Sequence, residues 1–364
     1  MKTLNFPCLP TLVLTLFFSL LFNPIEVQAS KMTPPAKVTV GVSPATSTAG
    51  VFFAKEMGFL TDENLDVDLQ VFPTSTAPMI PLLAKGELDV GGGVIASGLF
   101  STSADVQAGI LLVADKGSVR KDANYLKLMV RTDLITSGRY KELKDLKGFR
   151  VGVTALGGTS QEATFSLYLK KAGLTPQDVT FVKAGYADAN KAFASKALDA
   201  YIQIEPYLSE AEKSGVAKVI GGVYEMHPDQ QSAGIFYSPQ FASKRREVAV
   251  RFMSAYIRGC RAYNKAFLPG RTEEDFNRGV EILSKWTSVK DKSVYKTMIP
   301  AGLHPDGKLN VESIRADLRY YIEQKYLKSE PDLTKIVDTG IVEEALLAVD
   351  GPPPGSKPNR KKVK

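Results

Sequence analysis

From Leu65 to Val71 the chain reads Leu-Asp-Val-Asp-Leu-Gln-Val, a strict alternation that predicts a strand with Leu65, Val67, Leu69 and Val71 on one covered face. Before it, residues 37–42 form another strand pattern, followed by the loop Ser43-Pro44-Ala45-Thr46-Ser47-Thr48 and a helix that Gly58 can stop. After it come a short helix through Met79, Leu82 and Leu83 ending at Gly86, the strand Leu88-Asp89-Val90, and a turn at Gly91-Gly92-Gly93 into a helix near Ser97. About 110 residues later the same order recurs. Val151-Gly152-Val153 opens it, Leu156-Gly157-Gly158-Thr159-Ser160 is the loop, a helix runs to Lys171, and Gly173 stops it. A strand at 179–183, a helix at 188–194 and a strand at 200–203 complete the copy. Gly41 precedes Asp89 by 48 residues and Gly152 precedes Asp199 by 47. Each copy is therefore expected to be a βαβαβ lobe.

Further strands are predicted at 110–113, 126–131 and 234–237, and long amphipathic helices at 248–267, 276–286 and 314–326. Residues 37–132 and 237–347 are expected to form a discontinuous first lobe and 133–236 the second. The chain would then cross between lobes near 131–134 and again near 234–238.

Met1-Lys2, the apolar run 12–22 and Val27-Gln28-Ala29 have the order of a cleavable export signal, 1–29, with a leader at 30–36. The run is too short for the ~20 residues a permanent membrane helix needs. Cys8 precedes it, out of place for lipid attachment, and cleavage would leave Cys260 as the lone cysteine, with no intramolecular disulfide. Of the formal charge of +7, five come from Lys357, Arg360, Lys361, Lys362 and Lys364, so the body is nearly neutral. Residues 348–364, rich in Gly, Pro and Lys, have the composition of a disordered basic tail. Nothing else suggests nucleic-acid binding.

The loops after the strands aim helix N-termini, with their free N–H groups and partial positive charge, at a common space. Ser43, Thr46, Ser47, Thr48, Ser97, Thr159 and Ser160 can hydrogen-bond a solute there or simply cap their helices. Gly92, Gly93, Gly157 and Gly158 would let backbone approach closely. Asp188 and Glu205, the latter before Pro206, could accept from an amine or ring N–H, or serve as helix-start acids. Tyr186, Tyr201 and Phe236 could stack on a planar solute or fill the core.

Ala54-Lys55-Glu56-Met57-Gly58-Phe59-Leu60, Glu63-Asn64-Leu65-Asp66-Val67 and Leu83-Ala84-Lys85-Gly86-Glu87-Leu88-Asp89-Val90-Gly91 resemble the substrate-binding proteins of nitrate, sulfonate, taurine and thiamine-precursor ABC transporters. Asp145-Leu146-Lys147-Gly148 and Ile204-Glu205-Pro206-Tyr207 resemble that family's second lobe. The resemblance covers 37 to about 347. It implies a type II periplasmic binding protein fold of two lobes on a two-segment hinge. It further implies a monomer in the periplasm that captures a small solute and hands it to a membrane permease and its ATPase.

The same resemblance extends to a pyrimidine synthase of thiamine biosynthesis, but that enzyme's cysteine cluster is absent. His227 and His304, each before Pro and more than 70 residues apart, define neither a metal site nor a nucleophile–base pair. No catalytic residue, metal or cofactor is expected. A secreted solute sensor remains an alternative, and the solute stays open: helix N-termini favour an anionic head, whereas Glu205 and aromatic stacking favour a heterocycle or amine.

Overall fold

The computed structural model describes residues 34–73, 75–104 and 109–351. The expected signal segment with Cys8, the leader up to residue 33 and the tail beyond Gly351 lie outside the described residues. Among the described residues, ten strands form two five-stranded sheets. The strands are β1 (Ala36–Val42), β2 (Leu65–Val71), β3 (Val90–Val94), β4 (Leu111–Ser118), β5 (Leu126–Arg131), β6 (Arg150–Val153), β7 (Thr180–Lys183), β8 (Ala200–Ile204), β9 (Ala217–Gly222) and β10 (Gln231–Tyr237). The first sheet has the order β2-β1-β3-β10-β4 and the second β7-β6-β8-β5-β9. In each, the repeat contributes three parallel strands, β1 to β3 and β6 to β8.

The repeat's two aspartates do the same work. Asp89 accepts from the Thr39 backbone N–H at 3.1 Å, and Asp199 accepts from the Arg150 backbone N–H at 2.9 Å. Each ties the start of one parallel strand to the next. Each also carries arginine: Arg245 holds Asp89 at 3.0 Å, and Arg150 and Arg131 hold Asp199 at 2.8 and 3.1 Å.

The crossings differ from the sequence expectation. β5, assigned above to the first lobe, pairs antiparallel with β8 and β9 in the second sheet. β10 pairs antiparallel with β3 and β4 in the first. Each sheet thus receives its antiparallel strand from the chain that has just left the other. The exchange segments are 119–125 and 223–230, not 131–134 and 234–238. A buried strand carries the same apolar pattern in either sheet, so local sequence cannot choose its partner.

Smaller corrections follow the same logic. β1 already begins at Ala36, inside the expected leader, and the glycines 91–93 lie within β3 rather than in a turn. A final helix, Gly340–Asp350, continues three residues into the expected tail, where Asp350 pairs with Arg261. At the end of edge strand β2, Val71 is 47% exposed, although Leu65 and Val67 are buried as the alternation predicts.

The helices Arg246–Phe267, Glu273–Trp286 and Val311–Glu323 appear where amphipathic spacing placed them. The first packs on the helix Ala49–Glu56 through two glycines: a Cβ on Gly259 would stand 2.0 Å from the Gly50 carbonyl oxygen. Val38, Val40, Phe52, Phe53, Phe252 and Tyr256 fill the core between this helix pair and the first sheet.

Candidate functional site

The two sheets face one another across a cleft that is closed along two seams. At one, the Ser97 N–H donates to Gly158 O at 2.9 Å and the Ser160 N–H to Ile95 O at 3.1 Å, a short antiparallel bridge between the halves. The Ser97 hydroxyl adds a bond to Gly157 O at 2.5 Å. Gly158 has φ +97°, and a Cβ there would meet the Tyr326 ring at 2.8 Å, so only glycine permits this approach. Glu162, buried on the helix Ser160–Lys171, accepts from Tyr326 OH at 2.6 Å, Tyr320 OH at 3.1 Å and Gly158 N at 3.1 Å.

At the other seam, the Thr46 hydroxyl donates to the Glu205 carbonyl at 2.8 Å and Tyr207 OH to Pro44 O at 2.7 Å. The Glu205 carboxylate is 1% exposed and accepts from Ile299 N, Ser209 N and the Ser209 hydroxyl. Burial pushes its pKa up to about 7, opposed by these hydrogen bonds. Lys213 pairs with Asp291 beside it.

Several sequence candidates therefore join the halves rather than line a void: Thr46, Ser97, Gly157, Gly158 and Glu205. Thr159 caps the helix Ser160–Lys171 by accepting from Glu162 N, and Thr48 donates to Ser43 O. Gly92 and Gly93 sit inside β3, where Gly93 makes room for the Thr76 side chain. Asp188 is an exposed first-turn residue paired with Lys191 at 3.4 Å, away from the spaces that Lys116 and Tyr186 line. Tyr201 and Phe236 are fully buried in the cores, whereas Tyr186 faces the cleft.

Inside the seams, Ser43, Ser47 and Ser160 line a space of about 20 Å³, room for about one water. With them stands a residue that sequence reasoning missed, Lys116. Its ammonium donates to Ser47 Oγ at 3.1 Å and Ser43 Oγ at 3.3 Å. It is 1% exposed and forms no ion pair among the described residues. Asp115, its neighbour, faces the other side of the strand and spends its oxygens on Gln231 Nε2, Gly117 N and His304 N. Burial lowers the Lys116 pKa to about 7, with Asp115 partly opposing. The sequence reading placed this strand at 110–113 only. In fact β4 runs on to Ser118 and takes the lysine inside.

The remaining polar walls are already partnered. Gln161 accepts from Thr154 N and donates to Ile202 O, Ser160 donates to Ser232 O, and Thr164 donates to Gln230. A buried ammonium held only by hydroxyls favours an anion beside it. Among the described residues, no three His, Cys, Asp or Glu side chains gather as a metal site. His304 bonds within its own turn, accepting from Asp306 N, and His227 lies 3.5 Å from Asp317, which accepts from Gln230.

Comparison with known proteins agrees with this architecture. The family model described as NMT1/THI5 like matches residues 45–265, more than half the chain. A Brucella abortus (strain 2308) protein named as a binding protein is 31% identical over 147 residues, 40% of this chain and 41% of its own length. The match thus spans well under two thirds of that relative. The nitrate-binding protein NrtA of Synechocystis PCC 6803 superposes with a TM-score of 0.70 at 14% identity, over 87% of this chain and 90% of that one. The alkanesulfonate-binding protein SsuA of Xanthomonas axonopodis pv. citri, bound to MOPS, gives 0.66 at 19% identity, over 84% and 99%. At such identities the likeness speaks for the fold. With the family match across both sheets, the chain belongs to the NMT1/THI5-like family and has the fold of the periplasmic solute-binding proteins.

Proposed function

We propose that this chain is the solute-binding component of an ABC importer and that it captures a small anion in the cleft between its sheets. The observation that carries the reading is Lys116, a buried cation with no counter-charge in the space where the halves meet. A solute anion would supply the missing partner, with Ser43, Ser47 and Ser160 as hydrogen-bonding walls. The names of the nitrate- and sulfonate-binding neighbours are consistent with that choice.

Capture works through the seams. A solute touching both halves favours the closed arrangement over an open one by its differential affinity, and the two exchange segments are the hinge. Export to the periplasm, action as a monomer and delivery to a permease with its ATPase belong to the same reading. No helix among the described residues is long and apolar enough to cross a membrane, so the permease would be a separate chain. Release of the solute unchanged is part of the same reading.

Calorimetric titration of the full chain with nitrate, methanesulfonate, taurine and benzoate tests this. At least one anion should bind, and Lys116→Met should weaken it by about tenfold or more. Equal binding by that variant, or recovery of a transformed solute by mass spectrometry, would remove the proposal.

A further inference from the structure

The cleft contains a second space that the anion reading leaves unused. Ser43, Val94 and Tyr186 border both spaces, so the two are adjacent. The second is less polar than the first: Phe72, Pro73, Tyr186 and Tyr207 supply much of its wall, and it too holds about 20 Å³.

One polar group in this wall stands alone. Ser75 is 7% exposed, and its hydroxyl has no hydrogen-bond partner. Neighbouring hydroxyls have partners, Thr76 in Val94 O at 3.3 Å and Tyr207 in Pro44 O at 2.7 Å. A buried hydroxyl left alone is uncommon in folded proteins, and an unmade bond facing a cavity points to a ligand atom that makes it. The cleft therefore holds two unmet demands, a negative charge at Lys116 and a hydrogen bond at Ser75, with aromatic and proline surface between them.

We infer that the solute is an aryl anion bearing a hydrogen-bonding substituent, with its charged head on Lys116, its ring against Phe72, Tyr186 and Tyr207, and its substituent on the Ser75 hydroxyl. This rests on the anion reading above and narrows it. An inorganic anion would fill the first space and leave the second idle. Flat aromatic solutes suit the second space, because aromatic rings stack on Tyr and Phe and pack on proline. Each space holds little more than a water, so the solute enters the open form and the side chains lining both spaces repack around it as the seams close.

Calorimetry on the full chain with 4-hydroxybenzoate, 4-hydroxybenzenesulfonate, benzoate, acetate and nitrate distinguishes the possibilities. The two hydroxylated aryl anions compare carboxylate with sulfonate heads. At least one of them should bind about tenfold more tightly than benzoate, and acetate and nitrate about a hundredfold more weakly than benzoate. Ser75→Ala should abolish the advantage of the hydroxyl while leaving benzoate affinity and the melting temperature unchanged or raised. Phe72→Ala should weaken every aryl anion and spare acetate.

Nitrate or acetate binding as tightly as the aryl anions overturns the aryl assignment while the anion reading stands. A hydroxyl advantage that survives in Ser75→Ala overturns the role of Ser75. If no probe anion binds, or all bind Lys116→Met as well as the wild type, the anion reading and this inference fall together.

Discussion

The Tyr326 phenol donates to Glu162 Oε1 at 2.6 Å, from the segment after the helix Val311–Glu323 to a helix of the opposite half. The bond should therefore count only towards the closed form, in which these two segments meet. Tyr326→Phe should cost the closed form about 1.5–3 kcal/mol, the range for hydrogen bonds to charged groups. Solute affinity should fall accordingly, with little change in the urea midpoint of the unliganded protein. Calorimetry paired with small-angle scattering of the bound form checks this; unchanged affinity would show that the bond does not contribute to closure.

Lys116→Met keeps the volume while removing the buried charge. In the unfolded chain the lysine binds a proton up to its ordinary pKa of 10.5, whereas burial lowers that to about 7 in the folded protein. Between these values the unfolded state holds more protons, so this group makes stability rise with pH from about 7 to 10.5, with its penalty complete below 7. The Met variant should therefore be at least as stable as the wild type at pH 7. Its advantage should shrink by pH 10, as read by urea unfolding at both values.

Glu205 acts in the opposite sense. Its pKa is pushed from 4.5 up to about 7 by burial, so between those values the folded protein holds the extra proton. Stability from this group is greatest below the lower value and is lost as pH rises through the upper one. Comparing Glu205→Gln with the wild type at pH 5 and pH 7.5 isolates it from Asp115, which burial shifts up to about 6 in both proteins. The wild type should lose stability relative to the variant on going to pH 7.5; a constant difference would refute the shift.

Gly259→Ala places a methyl group 2.0 Å from the Gly50 carbonyl oxygen, where backbone rather than a flexible side chain must yield. The helix pair would have to separate, at a cost of about 1–3 kcal/mol. Thermal unfolding should show a lower melting temperature. The spaces around Lys116 and Ser75 lie outside this contact, so solute affinity should be retained.

Local pattern was enough to read the repeated lobes. The alternation of β2, the helix stops at Gly58, Gly86 and Gly173, and the matching Asp89 and Asp199 all depend on periodicity and backbone preference within a few residues. Thr159 as a cap and the three long C-terminal helices were legible for the same reason. Tertiary structure alone decided the exchange of β5 and β10 between sheets. It also turned Thr46, Ser97 and Glu205 into bridges across the cleft and drew Lys116 into its centre. Burial, and the partners available to a buried group, depend on chain brought together from 159 positions away in the case of Thr46 and Glu205. A lysine between an aspartate and a glycine has the same local signature in a solvated turn as in a buried strand; only the distant chain packed over it determines its charge, its partners and what it can bind.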